Sequence, residues 1–449
     1  MSASIETVRA WLDAARAASQ LQIETIGLSD CAPWTLREGG LHHASGRFFA
    51  IRGVRAVPHS DGHAPVYLPL IDQPEVAWQG FIVRPRGAGD VEWLLQAKTE
   101  PGNVGGTQIA PSIQATRSNY KRVHQGQPTP FLHEFETSKA RFSDAPHSEQ
   151  GTRFLWKLNR NSIIAVPPDW TPPADGELRW IWASAQAVRE ALAADSFINT
   201  DARSVIASAP WSLLCAGAPL FRSAALMRSF ARAHTFGPAL PPKYFNQLAQ
   251  GPDATVRCDF VPLDALPGWC WSENGLAPES HGVGVGFIDV SAADREVARW
   301  RQPIITDTQT SECVLLVRPN KDEGVEVLLR PCSEPGFGVR REFGPSYYSG
   351  RANAEAVEHL VRSKTTQCVV EITQSDEGAR FFKCMARYRV LWAPEAEAAP
   401  RFEKGGIWVS LRLLQLFTLR AASTTNELRT LVSLLLSAQA DRFFADLEV

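Results

Sequence analysis

No run of apolar residues approaches the roughly 18 needed to cross a bilayer as a helix, so no membrane span is expected. There is no dense cysteine framework either. Eight cysteines are scattered through 449 residues without a CxxC, the usage of reduced thiols, and a cytoplasmic location is expected. Charge of neither sign dominates: 46 Lys+Arg against 48 Asp+Glu leave a net charge of -2, which argues against a nucleic-acid binder held mainly by phosphates. A chain that is 44% hydrophobic and 21% charged is not disordered, fibrous or a coiled coil. The N-terminus lacks the unbroken apolar core of an export signal, because Ile5, Val8, Trp11, Leu12 and Ala15 recur at helical spacing with Glu6, Asp13 and Arg16 between them.

Familiar chemical motifs are missing too. There is no P-loop, HExxH, GxSxG or protein-kinase set. GVGVG (282–286) lacks the GxGxxG spacing, a following helix and a later acidic residue, and reads as a glycine-rich strand or turn. His42-His43 and the pair His59/His63 lie among Gly, Ser and Pro with no third ligand at useful spacing, and read as solvated loop histidines. Neither a nicotinamide cofactor nor a protein-held metal is expected.

What the sequence does have is a repeat. VRPRGAGDVEWLLQAKTEPGN (83–103) aligns without a gap on VRPNKDEGVEVLLRPCSEPGF (317–337), and the register continues to Pro111-Ser112 over Pro345-Ser346. Small shifts bring EQGTRF (149–154) over DEGARF (376–381), Trp182-Ala183-Ser184 over Trp408-Val409-Ser410, and Arg203 over Arg429. The order of these anchors predicts an α+β protein of two similar tandem units from a duplication, 1–236 and 237–449, each a mixed sheet with helices. VEWLLQAK and TQIAPSIQA read as strands, FLWKLNRNSIIAVP as one long strand, and WASAQAVREALAA as a helix that Ser184 could cap. NELRTLVSLLLSAQADRFF reads as one strongly helical stretch, 201–236 as largely helical, and the Pro-rich 237–242 as a linker.

The halves differ where polar groups matter. Lys98 aligns with Cys332, Gln114 with Tyr348, Lys157 with Cys384, Asn159 with Ala386 and Asn161 with Tyr388. Glu100/Glu334 and Arg160/Arg387 survive in both. ATRSNYKRVH (115–124) adds Arg117, Asn119, Tyr120, Lys121, Arg122 and His124, although such a run is also what a solvated loop or helix start looks like. Lys98 alternates with Gln96, as on the exposed face of an edge strand. KLNRN is harder to explain that way, because Asn is depleted from strands. A cleft holding Lys98, Gln114, Arg117, Lys157 and Arg160 suits an anionic, hydroxyl-rich ligand such as a nucleotide diphosphate.

QAKTEPGNVGGTQIAPSIQATRSNYKRVHQG (96–126), EQGTRFLWKLNRN (149–161) and NTDARSVIA (199–207) resemble the NDP-hexose 2,3-dehydratases of deoxysugar biosynthesis, and ADREVARWRQPII (293–305) and EPGF (334–337) extend the resemblance into the second half. The resemblance implies two Nudix-like domains per subunit, a homodimer, and metal-independent chemistry in the first half. The second half departs from the family pattern at GPSYYSG (344–350). The implied substrate is a nucleotide-diphosphate sugar, dTDP-4-keto-6-deoxyglucose or a close relative. The implied product is a 3,4-diketo-2,6-dideoxy sugar that an NADPH-dependent 3-ketoreductase must rescue. The candidates for acid and base are then His124, Tyr120, Glu100 and Glu149, and Lys98 is the candidate for stabilising the enolate. Arg117, Asn119, Arg122, Gln114, Gln150, Lys157, Asn159, Arg160 and Asn161 are the candidate substrate contacts. Two rivals stand beside this reading: a nucleotide-sugar-binding partner protein without catalysis, and a Nudix-type hydrolase, for which the glutamate-rich metal helix is missing.

Overall fold

A computed structural model describes residues 2–58, 64–87, 89–122, 128–173, 178–231, 256–292, 297–338, 340–349, 354–398, 402–403 and 405–447. It is mixed α and β. One sheet runs in the order Arg141–Ser148, Leu158–Ala165, Ala77–Gly87, Asp90–Thr99, Trp180–Ser184; another runs Gln367–Ser375, Met385–Trp392, Ser311–Asn320, Gly324–Cys332, Gly406–Val409. Each has a parallel pair at the same place, Leu158–Ala165 beside Ala77–Gly87 and Met385–Trp392 beside Ser311–Asn320.

The upstream strands do not stay in their own half. Gln22–Ile26 runs antiparallel along Val283–Ser291 of the second half, Gln22 opposite Ser291 and Ile26 opposite Phe287. In return Val256–Val261 pairs with Ala50–Pro58 of the first, Val261 opposite Gly53. The close approach needs glycine there, because a Cβ on Gly53 would lie 2.6 Å from the Val261 carbonyl oxygen. The halves thus exchange a strand reciprocally.

They also share a core. Val205 and Ile206 of helix Thr200–Ala207 and Leu428, Leu431 and Val432 of helix Asn426–Leu435 are buried in one cluster with Trp93, Leu95, Leu315 and Val317. Each such side chain contributes about 1.5–3 kcal/mol on burial. Between the two helices Arg429 Nε donates to Ser204 Oγ at 2.7 Å, and an Arg203 guanidinium nitrogen donates to Ser433 Oγ at 3.2 Å. Both arginines are buried, and their remaining donors go to carbonyls such as those of Leu192 and Thr424. That satisfies hydrogen-bond demands that burial would otherwise leave unmet.

Local signals explain the helix boundaries. Ser184, Asn199, Ser410, Thr425 and Ser437 are N-caps whose side chains accept the N–H three residues on. Replacing such a cap by Ala costs about 1 kcal/mol. Ser437 divides the expected single C-terminal helix into Asn426–Leu435 and Ala438–Ala445. The expected WASAQAVREALAA helix is a strand through Ser184 and a helix from Ala185 to Ala191. GVGVG lies at the start of strand Val283–Ser291. His42 and His43 end strand Gly40–His43 and are half-buried rather than solvated in a loop; His59, His63 and the 237–242 linker lie outside the described residues. The long strand expected over 154–167 is broken into Phe154–Leu155 and Leu158–Ala165. Trp156 takes φ 50° at the break and donates its N–H to the Gly336 carbonyl of the other half at 2.8 Å.

Among the described residues no helix is long and apolar enough to cross a membrane. All eight cysteines are free thiols.

Glu342 tests the shared interior. It is buried on strand Glu342–Gly344, accepts the Ser148 hydroxyl on Oε2, and leaves Oε1 without a hydrogen bond. Burial pushes its carboxyl up to about 7, against the opposing pull of Ser148, Arg429 and Arg340. The stability that comes with the protonated form is complete below the ordinary carboxyl range and is lost as pH rises through about 7. Glu342→Gln is therefore expected to gain roughly 2–3 kcal/mol on the wild type between pH 5 and pH 8. Urea midpoints at the two pH values measure this; an unchanged difference would show that Glu342 titrates like an exposed carboxyl.

Candidate active site

One cleft collects most of the polar residues that distinguish the first half. It encloses about 1230 Å³, its open mouth included, and Lys98, Glu100, Gln114, Lys157, Asn159 and Asp201 line it together with Glu377 and Arg380.

The sequence places each group by a local device. Lys98 nears the end of strand Asp90–Thr99, donates to the Gln114 carbonyl at 3.1 Å and pairs with Glu100 Oε1 at 3.1 Å. Lys98 lies opposite Gln108 of strand Thr107–Ala110 and its side chain is only 11% exposed, so it does not sit on an exposed strand face. The Gln114 side chain is itself oriented by Asn199 Nδ2, at 3.0 Å from its Oε1. Past the left-handed turn at Trp156, Lys157 donates to the Glu75 carbonyl. Asp201 sits in the first turn of helix Thr200–Ala207. Behind the cleft wall, both oxygens of Glu149 accept amide hydrogens, from Asn159 at 2.6 Å and Asn426 at 3.0 Å.

Burial governs the charge states. It drives the Asp201 carboxyl well above the ordinary range, and Glu377, Glu149 and Glu100 add repulsion that Lys98 opposes. Glu377 is raised by burial and by Glu100, against Arg380, Lys98 and Lys157. Glu149 is pushed up to about 7 by burial and Glu377, and Lys157 is pulled down to about 8 by burial, with Glu149 and Glu377 resisting. Like charges so close cannot all ionise, so the cluster holds protons at neutral pH. Such a set can take a proton from one carbon and give one to a departing oxygen.

The other end of the cleft is aromatic and cationic. Trp34 and Phe49 have ring centroids 4.7 Å apart, and His43 and Phe48 4.4 Å. The Arg380 guanidinium stands 4.3 Å over the Phe49 ring, and Trp300 and Arg301 complete the wall. Stacking faces beside guanidinium forks fit a base joined to a diphosphate. Among the described residues no three His, Cys, Asp or Glu side chains converge as metal ligands.

A family model for NDP-hexose 2,3-dehydratase matches residues 5–209 and 243–435. The chain belongs to that family. It is 30% identical to a dTDP-4-dehydro-6-deoxy-alpha-D-glucopyranose 2,3-dehydratase of Amycolatopsis orientalis, over 97% of this chain and 91% of the relative. It is 29% identical to one of Streptomyces violaceoruber, over 85% and 86%, and 30% identical to one of Saccharopolyspora spinosa, over 80% and 76%.

The large cleft gathers six of the residues singled out from sequence: Lys98, Glu100, Gln114, Asn119, Lys157 and Asn159. Glu149 stands behind them. Tyr120 ends the short helix Arg117–Tyr120, half-buried, its hydroxyl pKa raised by burial, and does not line the cleft. Arg117 and Arg122 are exposed at either end of that helix, and His124 lies outside the described residues. Arg160 is on the opposite strand face from Asn159, as a period of two demands, and is held by both oxygens of Asp144 and stacked 4.2 Å over Trp78. Asn161 shares the Asn159 face but lies two residues further along, under the helix, donating to Ser204 and Ser208.

Gln150 belongs elsewhere. It donates to Asp376 at 3.2 Å and lines a second pocket of about 320 Å³ with Arg153, Tyr348, Cys384, Ala386 and Glu427. By the internal register these stand where the large cleft has Glu377, Arg380, Gln114, Lys157, Asn159 and Asp201. The second pocket is thus the positional counterpart of the first, and Arg153 there is tied to Asp307 at 2.6 Å. Sequence reasoning missed Asp201, Glu377 and Arg380, although NTDAR and DEGARF both stood out as motifs.

Proposed function

We propose that the protein removes water across carbons 2 and 3 of an NDP-4-keto-6-deoxyhexose, with dTDP-4-keto-6-deoxyglucose as substrate. The observation that carries this is the cleft itself, where an aromatic and arginine-lined end adjoins a buried cluster of Lys98, Glu100, Asp201, Lys157 and Glu377. The carbon-4 ketone acidifies the proton on carbon 3. Lys98 stabilises the enolate oxygen, and one well-placed donor is worth about 3–4 kcal/mol in such a step. Gln114, Asn119, Lys157 and Asn159 hold sugar hydroxyls, Arg301 and Arg380 the diphosphate, and Trp34, Phe49 and Trp300 the base. Acid and base come from the carboxyl groups facing the cleft. The units 1–236 and 237–449 are alike in strand order, and the family resemblance implies that each is Nudix-like and that the subunit forms a homodimer. The reactive 3,4-diketo product calls for an NADPH-dependent 3-ketoreductase as the next enzyme.

Incubation with dTDP-4-keto-6-deoxyglucose in D₂O with EDTA, trapped by a 3-ketoreductase and NADPH, tests the reading. A 2-deoxy sugar carrying deuterium at carbon 2 is expected. Bound but unchanged substrate would instead establish a binding protein without turnover.

A further inference from the structure

The large cleft is not built by the first half alone. Glu377, Ala379 and Arg380 belong to the connection between strands Gln367–Ser375 and Met385–Trp392 of the second half, yet they line it. Backbone contacts seat this loop on the Glu100-Pro101-Gly102 turn. Gly102 N donates to the Gly378 carbonyl at 2.8 Å, and Lys383 N donates to the Gly102 carbonyl at 3.0 Å. The reverse arrangement recurs, with Gly336 N donating to the Gly151 carbonyl at 2.6 Å and Trp156 N to that of Gly336 at 2.8 Å. The duplicated EPG and (E/D)(Q/E)G(T/A)RF motifs are therefore two parts of one clasp, each gripping the opposite half. Where one loop presents Glu377 to the large cleft, the other presents Gln150 to the small pocket.

We propose that Glu377, supplied by the second half, is the base that takes the carbon-3 proton and returns it to the departing carbon-2 hydroxyl. This rests on the dehydratase reading. The competing carboxyl groups are otherwise engaged: Glu100 is paired with Lys98, and Glu149 is held by Asn159 and Asn426 outside the cleft lining. Asp201 is only 2% exposed, and burial together with the repulsion of Glu377, Glu149 and Glu100 holds its carboxyl well above the ordinary range. Glu377, unlike the buried Glu100 and Asp201, is only half-buried, and Arg380, Lys98 and Lys157 oppose the rise that burial imposes on its carboxyl. The step balances. The carbon–hydrogen pair becomes the C3–C4 double bond, and the carbon-4 oxygen takes the negative charge beside Lys98. The C4 carbonyl then re-forms, C2 and C3 become doubly bonded, and the C2–O bond breaks. The proton on Glu377 leaves with the hydroxyl as water, and the carboxylate is regenerated without any redox change.

Single-turnover kinetics of Glu377→Gln, Glu377→Asp and Glu377→Gly test this, with dTDP affinity measured alongside. Glu377→Gln is expected to lose about 10²–10⁴-fold in rate, the usual worth of a positioned acid–base group, while dTDP affinity stays near the wild-type value. Glu377→Asp should retain more activity than Glu377→Gln, and formate should accelerate Glu377→Gly. A loss under tenfold in Glu377→Gln, with the wild type turning over, overturns this assignment alone. So does equal loss in all three variants with no rescue by formate, which marks a structural residue. A wild type that binds but does not turn over overturns the dehydratase reading itself.

Discussion

Lys98→Met is expected to lower kcat by about 10²–10³-fold while dTDP affinity changes little, because the ammonium acts where charge develops and not where the nucleotide is held. The same substitution should cost stability. Glu100 is only 1% exposed, and its ion pair with Lys98 offsets the desolvation of a carboxylate that accepts no other hydrogen bond among the described residues. Removing one partner of a buried pair costs about 3–5 kcal/mol, since the other charge remains buried and uncompensated. Adding Glu100→Gln should recover much of that stability but not the rate. A double-mutant cycle with single-turnover kinetics separates the two effects. Recovery of the rate in Lys98→Met/Glu100→Gln would show that Lys98 only neutralises Glu100 and has no part in the chemistry.

Gly102→Ala is expected to be severe for a different reason. A Cβ there would lie 1.6 Å from the Phe381 carbonyl oxygen and 2.9 Å from that of Gly378, both backbone atoms that no rotamer change can move aside. The loop would have to shift, and overpacking of this kind typically costs about 1–3 kcal/mol or more. Because the loop carries Glu377 and Arg380 into the cleft, kcat should fall at least about tenfold, in line with the sensitivity of positioned groups to displacements near 1 Å. Calorimetry and hydrogen exchange over 376–383 check the prediction. An unchanged melting temperature with unchanged kcat would show that the clasp has no bearing on the site.

Much of the site was legible because the two halves serve as each other's control. Lys98, Gln114, Lys157 and Asn159 stand out as polar residues that the other copy has lost, and all four line the cleft. Alternation along Leu158–Ala165 could have removed Arg160, whose side chain must face away from Asn159. Glu100 shows the limit of the method. It survives in both halves because its turn is half of the clasp, and it also lines the cleft, so survival did not separate structure from chemistry.

The sequence by itself determined what short-range chemistry controls. Strands and helices came from local residue patterns, one helix start from Ser184, and the duplication from register. Tertiary structure decided which half serves which site. Strand Gln22–Ile26 carries no sign of whether it will pair with the sheet of its own half or with Val283–Ser291, since backbone hydrogen bonds are the same for either partner. Nor does DEGARF state that it will complete the cleft of the other copy. That choice depends on how the two halves pack about their shared core, where Arg203 and Arg429 reach across reciprocally, and on a glycine at 102 that leaves room for the Phe381 carbonyl. Contacts between residues almost 280 positions apart follow from the closure of the whole chain, and no local pattern records them.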